Sequence, residues 1–509
     1  MDLIIFKSFI PEIFLSLSIL FQLVFNARII NNWKFNFPII DRETVTQTVF
    51  ILFCLLFLFL NVRIEGFFSN FLFLNDKSAI LCKILLVIVS LAISGVLLQS
   101  FTLQKLNFFE YFNLFLLSIF SLLLLISSSD LISLYLLIEM QALCFYVLAT
   151  FKKNSAFSTE SGLKYFILGS FISGFFLFGA SLIYGCLGTL SLSNLSLLLA
   201  FPFSTFNNDL RCIVLVGIIF VTATLLFKIA CAPFHFWAPD VYEGAPLSST
   251  VIFSIVPKIS IFYFFTKWIS SISLLFYDMQ NILIIFAVLS TFIGTFFALG
   301  QKRLKRLLIY SSIAQIGFLV AGLALNTVGG FISVYFFLLV YLLTSILIWG
   351  HFAMFYFFQT QITSFYSTMA NTLFISNLVN FYKSNPLWSF SFIIIMFSVA
   401  GIPPLTGFLA KIMILFDLID AKYILPAIML IILSSISVFY YIRVIKVMFF
   451  EPRKVEKIKE KSQIVFFNIY LDSIYLLFTV SLFCLMILFF YPNVLFLLCQ
   501  YIVIYGTQF

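Results

Sequence analysis

The chain has 509 residues, of which 63% are hydrophobic and 10% are charged, and its formal net charge is +9. A mean hydropathy of +1.15 excludes a sizeable soluble domain, and at about 20 apolar residues per span the sequence predicts a polytopic membrane protein with about fourteen helices. The cations lie mostly in short loops and not in a basic stripe interleaved with aromatic residues, so membrane topology explains the charge better than nucleic-acid binding does.

The N-terminal residues run straight into the first apolar segment and show no cleavable signal pattern or Arg-rich transit segment, which predicts insertion of the chain as it is made. The 72 Phe residues are a bias that folding physics does not explain. We interpret it as T-rich codon usage in an organelle genome, so the protein is expected to be organelle-encoded. Fourteen apolar segments follow in chain order, near residues 8–27, 46–62, 79–100, 109–127, 131–151, 162–187, 212–234, 247–268, 279–300, 304–325, 328–357, 388–417, 424–449 and 470–500.

The loop charges predict the orientation of these segments. Loops after odd-numbered segments hold 18 Lys and Arg residues, whereas loops after even-numbered segments hold 6. By the positive-inside rule the odd loops face the matrix or cytoplasm, and both termini lie on the opposite side.

Four lysines stand inside otherwise apolar segments, namely Lys164, Lys228, Lys258 and Lys411. A charge at the centre of a bilayer costs about 2.5 to 3.5 kcal/mol, so such residues are usually retained for ion or proton handling. Low dielectric disfavours an ammonium ion, which lets a buried lysine release a proton near neutral pH. These lysines therefore predict proton or cation movement.

Two of the lysines lie beside prolines that are predicted to break their helices. Segment 7 contains TLLFKIACAPFHFW, with Pro233 five residues after Lys228, and segment 12 contains FSVAGIPPLTGFLAKIMILF, with Pro403 and Pro404 before Lys411. Proline removes a backbone donor and clashes with the preceding turn, and the exposed polar backbone is tolerable at mid-membrane only where protein or water covers it. Segments 7 and 12 run in opposite directions, as an inverted-topology repeat requires.

Carboxylates and a histidine accompany the lysines. Glu139 is the only charge in SLYLLIEMQALCFYVLATF, so it is either a switchable partner of a lysine or part of a structural ion pair. Glu160 and Lys164 can pair on one helix face, either as a solvated helix start or, if Lys164 points inward, as a pair that sets its proton affinity. His235 suits a proton relay, and the alternative is a hydrogen-bonded interfacial residue.

Segment 8 places Lys258 directly after Pro257, and segment 10 carries a polar face formed by Tyr310, Ser311, Ser312 and Gln315. Hydroxyl and amide groups there could hold water, although packing between helices explains the serines equally well.

The eight cysteines are scattered singly without a CxxC pair, and no GxGxxG turn or Walker P-loop occurs. No metal, iron–sulfur, dinucleotide or ATP site is predicted in this chain.

Four long strings carry a family resemblance. FKIACAPFHFWAPDVYEGAP, IVPKISIFYFF, KRLLIYSSIAQIGFLVAG and FSVAGIPPLTGFLAKIMILF resemble the antiporter-like subunit 2 family of proton-pumping NADH:ubiquinone oxidoreductase, respiratory complex I. The resemblance covers most of residues 110–450, and the flanks match in hydropathy only. Three features favour subunit 2 over the related subunits 4 and 5. The string PDVYEGAP resembles subunit 2, and subunit 4 typically has glutamate where Lys411 stands. The long lateral C-terminal helix of subunit 5 is not expected here.

The resemblance implies an all-α polytopic fold of fourteen helices, with two inverted five-helix repeats and broken helices 7 and 12. The implied parts are helices 1–3 in residues 1–108, the first repeat in 109–268, the second repeat in 279–449, and a basic loop with a C-terminal helix in 450–509. By motif, the proton-transfer residues along a hydrated axis are Glu139, Lys164, Lys228, Lys258, Lys411 and His235, supported by Glu160, Tyr310, Ser311, Gln315, Pro233, Pro403 and Pro404. Family members often have histidine at the position of Gln315, and glutamine cannot titrate. The proton path between the two half-channels would therefore pass through ordered water or the Tyr310 hydroxyl.

The implied function is proton translocation by a membrane-arm subunit in the mitochondrial inner membrane. NADH oxidation and ubiquinone reduction would take place in partner subunits, which would hold the flavin, the iron–sulfur clusters and ubiquinone. The expected partners are the other membrane-arm subunits, including the other antiporter-like ones, and membrane lipids, without nucleic acid. A stand-alone cation/proton antiporter and a purely structural subunit are the alternatives.

Overall fold

A computed structural model describes residues 7–32, 40–62, 66–68, 72–104, 110–200, 208–273, 276–362, 374–379, 381–451, 479 and 482–506. Helices dominate because a backbone in an apolar environment must satisfy its own hydrogen bonds, and a helix does so within one segment. The chain divides into two compact units, the first comprising Met1–Leu283, Asn326–Ile332 and Leu498–Phe509 and the second Ile284–Leu325 and Ser333–Leu497. The division into four parts by helix number stays a prediction.

The N-terminal part of the first unit is a group of helices joined by a small hairpin. The hairpin strands β1 (Gly66–Phe68) and β2 (Phe73–Asn75) pair antiparallel, with Gly66 opposite Asn75. They are the only strands among the residues that the structure describes. The surrounding helices are α1 (Ile10–Asn32), α2 (Ile40–Asn61), α3 (Lys77–Gln104), α4 (Glu110–Ser127) and α5 (Leu131–Thr150).

The rest of the first unit holds the helices on which most predicted site residues lie. α10 is the most deeply buried of them, because all of its residues except Ser270 are buried inside the protein. By contrast, only 33% of the span in α6 is buried, and its outward side chains are large and apolar, as a face toward lipid or another subunit requires. These helices are α6 (Ala156–Leu187), α7 (Leu192–Ala200), α8 (Asn208–Ile229), α9 (Trp237–Gly244) and α10 (Leu247–Ser271).

The second unit contains most of the remaining helices. α13 is almost completely apolar and 83% of its span is buried. The helices that follow α10 in the chain are α11 (Phe276–Gly300), α12 (Leu304–Leu323), α13 (Val328–Ile362), α14 (Phe381–Ser384), α15 (Pro386–Ala400), α16 (Thr406–Asp420), α17 (Ile424–Phe449), α18 (Leu482–Phe490) and α19 (Asn493–Gly506). From Leu498 onward, α19 belongs to the first unit.

The prediction of an all-α polytopic membrane protein is confirmed. Within the described residues, twelve helices are long and apolar enough to cross a membrane, or thirteen if the bent pair α18 and α19 counts as one span. The predicted segment 12 is not in that count because it consists of two 15-residue helices, α15 and α16. The total of fourteen and the repeat symmetry stay predictions.

Both predicted helix breaks are present. α8 ends at Ile229 and α9 begins at Trp237, and the turn between them contains Pro233. The indole Nε1 of Trp237 donates to the carbonyl oxygen of Phe227 at 3.0 Å, so the last turn of α8 gains a partner that the interrupted helix does not supply.

The second break separates α15 from α16. Gly401 ends α15 in the left-handed conformation, with φ 82°, and its N–H donates to the carbonyl oxygen of Phe397 at 3.0 Å. Glycine adopts this conformation without a Cβ penalty. Pro403 and Pro404 follow directly, and α16 resumes at Thr406. The proline positions therefore set where both helices are interrupted.

Candidate proton-transfer site

The first unit contains a cavity that brings Lys228 and Glu139 together. Lys228 lies in the last turn of α8, directly before the break, and Glu139 lies in the middle of α5. Both line a small cavity together with Thr224, Ser173 and Tyr135.

The two ionisable groups face this cavity without satisfying each other. The Nζ atom of Lys228 and the Oε1 atom of Glu139 are both buried, and neither has a hydrogen-bond partner among the described residues. The two charges interact electrostatically across the cavity. A buried polar group without a partner is costly, and the cavity has room for about one water molecule. The arrangement suits proton transfer between amine and carboxylate through water.

Lys164 occupies a more open position than the other predicted lysines. Its side chain is 44% exposed and its Nζ atom lies 2.8 Å from Glu160 Oε1 and 3.3 Å from Asp240 Oδ2. Asp240 belongs to α9, the short helix after the first break, so the pair predicted within α6 is joined by a third charge that sequence reasoning missed. The sequence left open whether Lys164 points inward, and in this chain the side chain lies at the surface of its unit.

His235 and Lys258 are both interior residues of the first unit. His235 lies in the break between α8 and α9 and is 4% exposed. Its ring centroid lies 4.5 Å from that of Phe236, with the two rings tilted. Lys258 follows Pro257 inside α10, which continues through this proline, and is 3% exposed. Both positions agree with the expected burial, while their roles in proton transfer stay predictions.

Lys411 is held differently from Lys228. It lies in the second turn of α16, after the break, and its Nζ atom donates to the carbonyl oxygen of Ala400 at 2.8 Å. The same Nζ lies 5.7 Å from the ring centroid of Phe318, a favourable cation–π geometry. The lysine thereby supplies a donor to the carbonyl that the break leaves at the end of α15.

A second small cavity lies beside Lys411, which is one of its lining residues. Ser311 and Gln315 line it, as the polar face of segment 10 suggested, but Tyr310 is not among the lining residues and stacks on Phe297 at 5.6 Å. Sequence reasoning missed the side chains that complete the polar wall. They lie on α11 and α17 and include Thr291, Thr295, Ser437 and Tyr441.

The missed polar residues had a detectable signal. Ser434, Ser437 and Tyr441 repeat at intervals of three and four in α17, which is the spacing of one helix face. In a segment that is otherwise apolar, such a face predicts a polar interior surface.

Two buried lysines were also missed. Lys83 in α3 is completely buried and pairs with Glu12, and Lys267 in α10 is 3% exposed and pairs with Asp76. Both stand near the ends of apolar segments, and the charge count therefore left them among the loop cations. That assignment was wrong, because their partners come from distant parts of the sequence.

The cysteines lie as isolated thiols. All eight are free, and no group of three or more His, Cys, Asp or Glu residues with metal-binding geometry occurs in the described part of the chain.

These features define a polytopic α-helical membrane protein whose two broken helices each place a buried lysine beside a small cavity. The chain belongs to the NADH:quinone oxidoreductase/Mrp antiporter transmembrane family, whose family model matches residues 128–439.

Relatives of known name agree with the resemblance to subunit 2. The chain is 34% identical over 504 residues to NADH-ubiquinone oxidoreductase chain 2 of Marchantia polymorpha, with 97% of each chain covered. It is 36% identical to NADH-quinone oxidoreductase subunit N 1 of Rhizobium meliloti over 384 residues, covering 75% of this chain and 77% of the relative.

Solved structures share the fold. A chain of respiratory complex I from Thermus thermophilus superposes with a TM-score of 0.74 at 23% identity, covering 96% of this chain and 98% of that chain. A chain of the Mrp complex from a Dietzia species superposes with a TM-score of 0.78 at 17% identity, covering 98% and 97%. At these identities the likeness shows the fold and nothing more.

Proposed function

We propose that this chain is a membrane-arm subunit of a proton-pumping NADH:ubiquinone oxidoreductase and that it translocates protons through its buried lysines. The observation that carries the proposal is the pair of unsatisfied groups, Lys228 Nζ and Glu139 Oε1, lining one cavity at a helix break. An intramembrane ionisable residue indicates a functional site by default. Relatedness over nearly the full length to chain 2 of such an enzyme supports the assignment to a complex.

The cavity of the first unit would load and release one proton at a time. When Glu139 is ionised it favours the ammonium form of Lys228, and when the carboxylate is protonated burial favours the neutral amine. A change of charge near the cavity, signalled from a partner subunit, would thus move a proton on or off Lys228 without any redox group in this chain.

The other ionisable residues would extend this path. Lys258 in α10 is another buried lysine of the same unit, and His235 lies in the break that follows Lys228. Lys164, held by Glu160 and Asp240 at the surface of the unit, would exchange protons with a neighbouring subunit or with water.

In the second unit, Lys411 would play the corresponding part. Its ammonium form donates to the carbonyl oxygen of Ala400, and deprotonation would weaken this charge-assisted hydrogen bond and let the Nζ atom turn toward Ser311 and Gln315. Because an amide cannot titrate, Gln315 would orient water and not carry the proton itself.

The setting of this activity follows from the family. The chain crosses the mitochondrial inner membrane several times, among other membrane-arm subunits that include further antiporter-like ones. The redox reaction, with flavin, iron–sulfur clusters and ubiquinone, would belong to partner subunits.

Two experiments separate this proposal from its alternatives. Native purification should recover the chain together with NADH dehydrogenase activity, whereas a stand-alone antiporter would migrate without it. Lys228→Ala should abolish most proton translocation in an assembled complex, while the exposed control Lys153→Ala should leave it unchanged. Wild-type pumping in Lys228→Ala would instead indicate a structural subunit.

A further inference from the structure

A cluster of charged side chains lies in the first unit, away from the cavity of Lys228. Its inner part is Lys83, whose Nζ atom donates to Glu12 Oε1 and to Asn75 Oδ1, both at 2.5 Å. The amide of Asn75 in turn donates to the carbonyl oxygen of Ser8 at 2.9 Å. The cluster therefore joins the start of α1, the end of strand β2 and the second turn of α3.

The outer part of the cluster is a second ion pair. Lys267, one turn before the end of α10, has its Nζ atom 3.7 Å from Asp76 Oδ2, and Asp76 is 31% exposed directly before α3. The Nζ atom also lies 4.8 Å from the ring centroid of Tyr263, whose hydroxyl forms a 2.8 Å hydrogen bond with Ser78. Asp76 also interacts electrostatically with Lys83, so the two pairs form one cluster.

The composition of this cluster exceeds what helix packing requires. Burying an ion pair is costly, and well-packed apolar residues often hold helices together at least as well. Here two buried lysines share the cluster with two carboxylates, one buried and one at the surface. In addition, Glu12 Oε2 is buried without a hydrogen-bond partner among the described residues. The series from Glu12 and Lys83 to Lys267 and Asp76 thus leads from a closed interior toward solvent.

We propose that Glu12, Lys83, Lys267 and Asp76 form a proton-exchange cluster that connects the interior of the first unit with the aqueous side at which α3 begins. The inference rests on the proposed function and adds a route to it. A proton would leave Lys267 Nζ for Asp76 Oδ2, giving a neutral amine and a carboxylic acid, and Asp76 would then release it to water. A proton supplied from the interior of the unit would restore the ammonium form of Lys267, directly or through Lys83, whose own ammonium form is held by the Glu12 carboxylate.

The same helix links this cluster to Lys258. Lys258 precedes Lys267 by nine residues in α10, which is about 13.5 Å along the helix axis. Direct transfer over that distance is impossible, so hydroxyl groups such as that of Tyr263 and bound water would carry the proton between them.

The test uses substitutions that separate titration from ion pairing. Lys267→Arg keeps a positive charge beside Asp76 but cannot release a proton, and Asp76→Asn keeps the side-chain size while removing the titratable group. Both are measured in the intact complex in sealed vesicles, by assembly on native gels, NADH oxidation rate and proton translocation rate. The matched control is Lys77→Arg, because Lys77 neighbours Asp76 but lies over the ring of Tyr505 at 5.1 Å.

We expect both test variants to assemble and to translocate protons at least threefold more slowly, while Lys77→Arg matches the wild type. Wild-type translocation in both variants, or loss of assembly in both, would overturn the inference and leave the cluster a structural ion-pair network. If only Lys267→Arg fails to assemble, the rate of Asp76→Asn decides. Lys228→Arg is measured in parallel to separate this inference from the proposed function. Normal proton translocation in Lys228→Arg would contradict the proposed function itself. Loss of translocation in Lys228→Arg, together with normal translocation in Lys267→Arg and Asp76→Asn, would overturn only the route through this cluster.

Discussion

At the scale of single residues, the buried lysines differ in how their charge is compensated. Lys228 Nζ has no hydrogen-bond partner in the described part of the chain, whereas Lys411 donates to a backbone carbonyl at a helix break. A buried ammonium ion without a hydrogen bond depends on nearby charge for its stabilisation. Lys228 is therefore the group whose protonation should respond most to Glu139.

This coupling predicts the outcome of a double-mutant cycle. Glu139→Gln should slow proton translocation without preventing assembly, because Lys228 loses the anion that stabilises its ammonium form. Lys228→Ala should slow it at least as much, and the double variant should cost less than the sum of the two in ΔΔG‡, since the residues act as one unit. Translocation rates of the four assembled complexes give the coupling directly, and strictly additive effects would show that the two residues act independently.

Sequence alone located the lysines at membrane depth but could not orient all of them. Lys258 and Lys411 stand in apolar segments that predict a buried position for the side chain, and both are buried. Lys164 stands in α6, which is apolar on nearly every side, so no amphipathic pattern indicated which face carries the lysine. Lys83 and Lys267 escaped notice because their compensation by Glu12 and Asp76 depends on tertiary contacts that no local pattern encodes.

At the scale of the helices, the breaks are where local sequence and function meet. Proline fixes the position of each interruption, and this part of the fold could be predicted because the effect of proline is local. The hydrogen bonds that satisfy the free carbonyl groups at each break could not be predicted, because they depend on tertiary contacts. Trp237 donates to the first break from the following helix, and Lys411 donates to the second from across the turn.

Gly401→Ala tests whether the second break positions Lys411. A Cβ at position 401 would lie 2.9 Å from Lys411 Cδ and 3.1 Å from its Nζ, and φ of +82° is a conformation that alanine avoids. A left-handed conformation costs an L-residue about 1–2 kcal/mol. We expect assembled complexes with several-fold slower proton translocation.

The control for this substitution is Gly174→Ala in α6, where a Cβ would meet nothing within 4 Å. Helix propensity favours that change, so assembly and translocation should match the wild type. Equal translocation rates in the Gly401 and Gly174 variants would contradict the role assigned to the break.

At the scale of the whole molecule, composition and loop charge predicted the class of protein and left its exact number of spans open. Hydropathy counts α15 with α16 and α18 with α19 as one segment each, whereas each of these four helices alone is too short to cross a membrane. The removal of Lys83 and Lys267 from the loop cations strengthens the charge asymmetry between odd and even loops.

That asymmetry predicts the topology. The segment from Lys302 to Arg306 should face the matrix, and the N-terminus should face the intermembrane space. Single cysteines placed in each region, labelled in sealed vesicles by a membrane-impermeant reagent, report the side. Labelling of both regions from the same side would overturn the orientation and the inverted repeat together.

The central claim is that lysine titration in this chain moves protons, and Lys228→Arg tests it most directly. Arginine retains the positive charge at the helix break but cannot release its proton. In purified complexes reconstituted into sealed vesicles, proton translocation is measured beside NADH oxidation and assembly. We expect the variant to assemble and to lose most proton translocation, whereas wild-type translocation would mean that the charge, and not its titration, is what the protein requires.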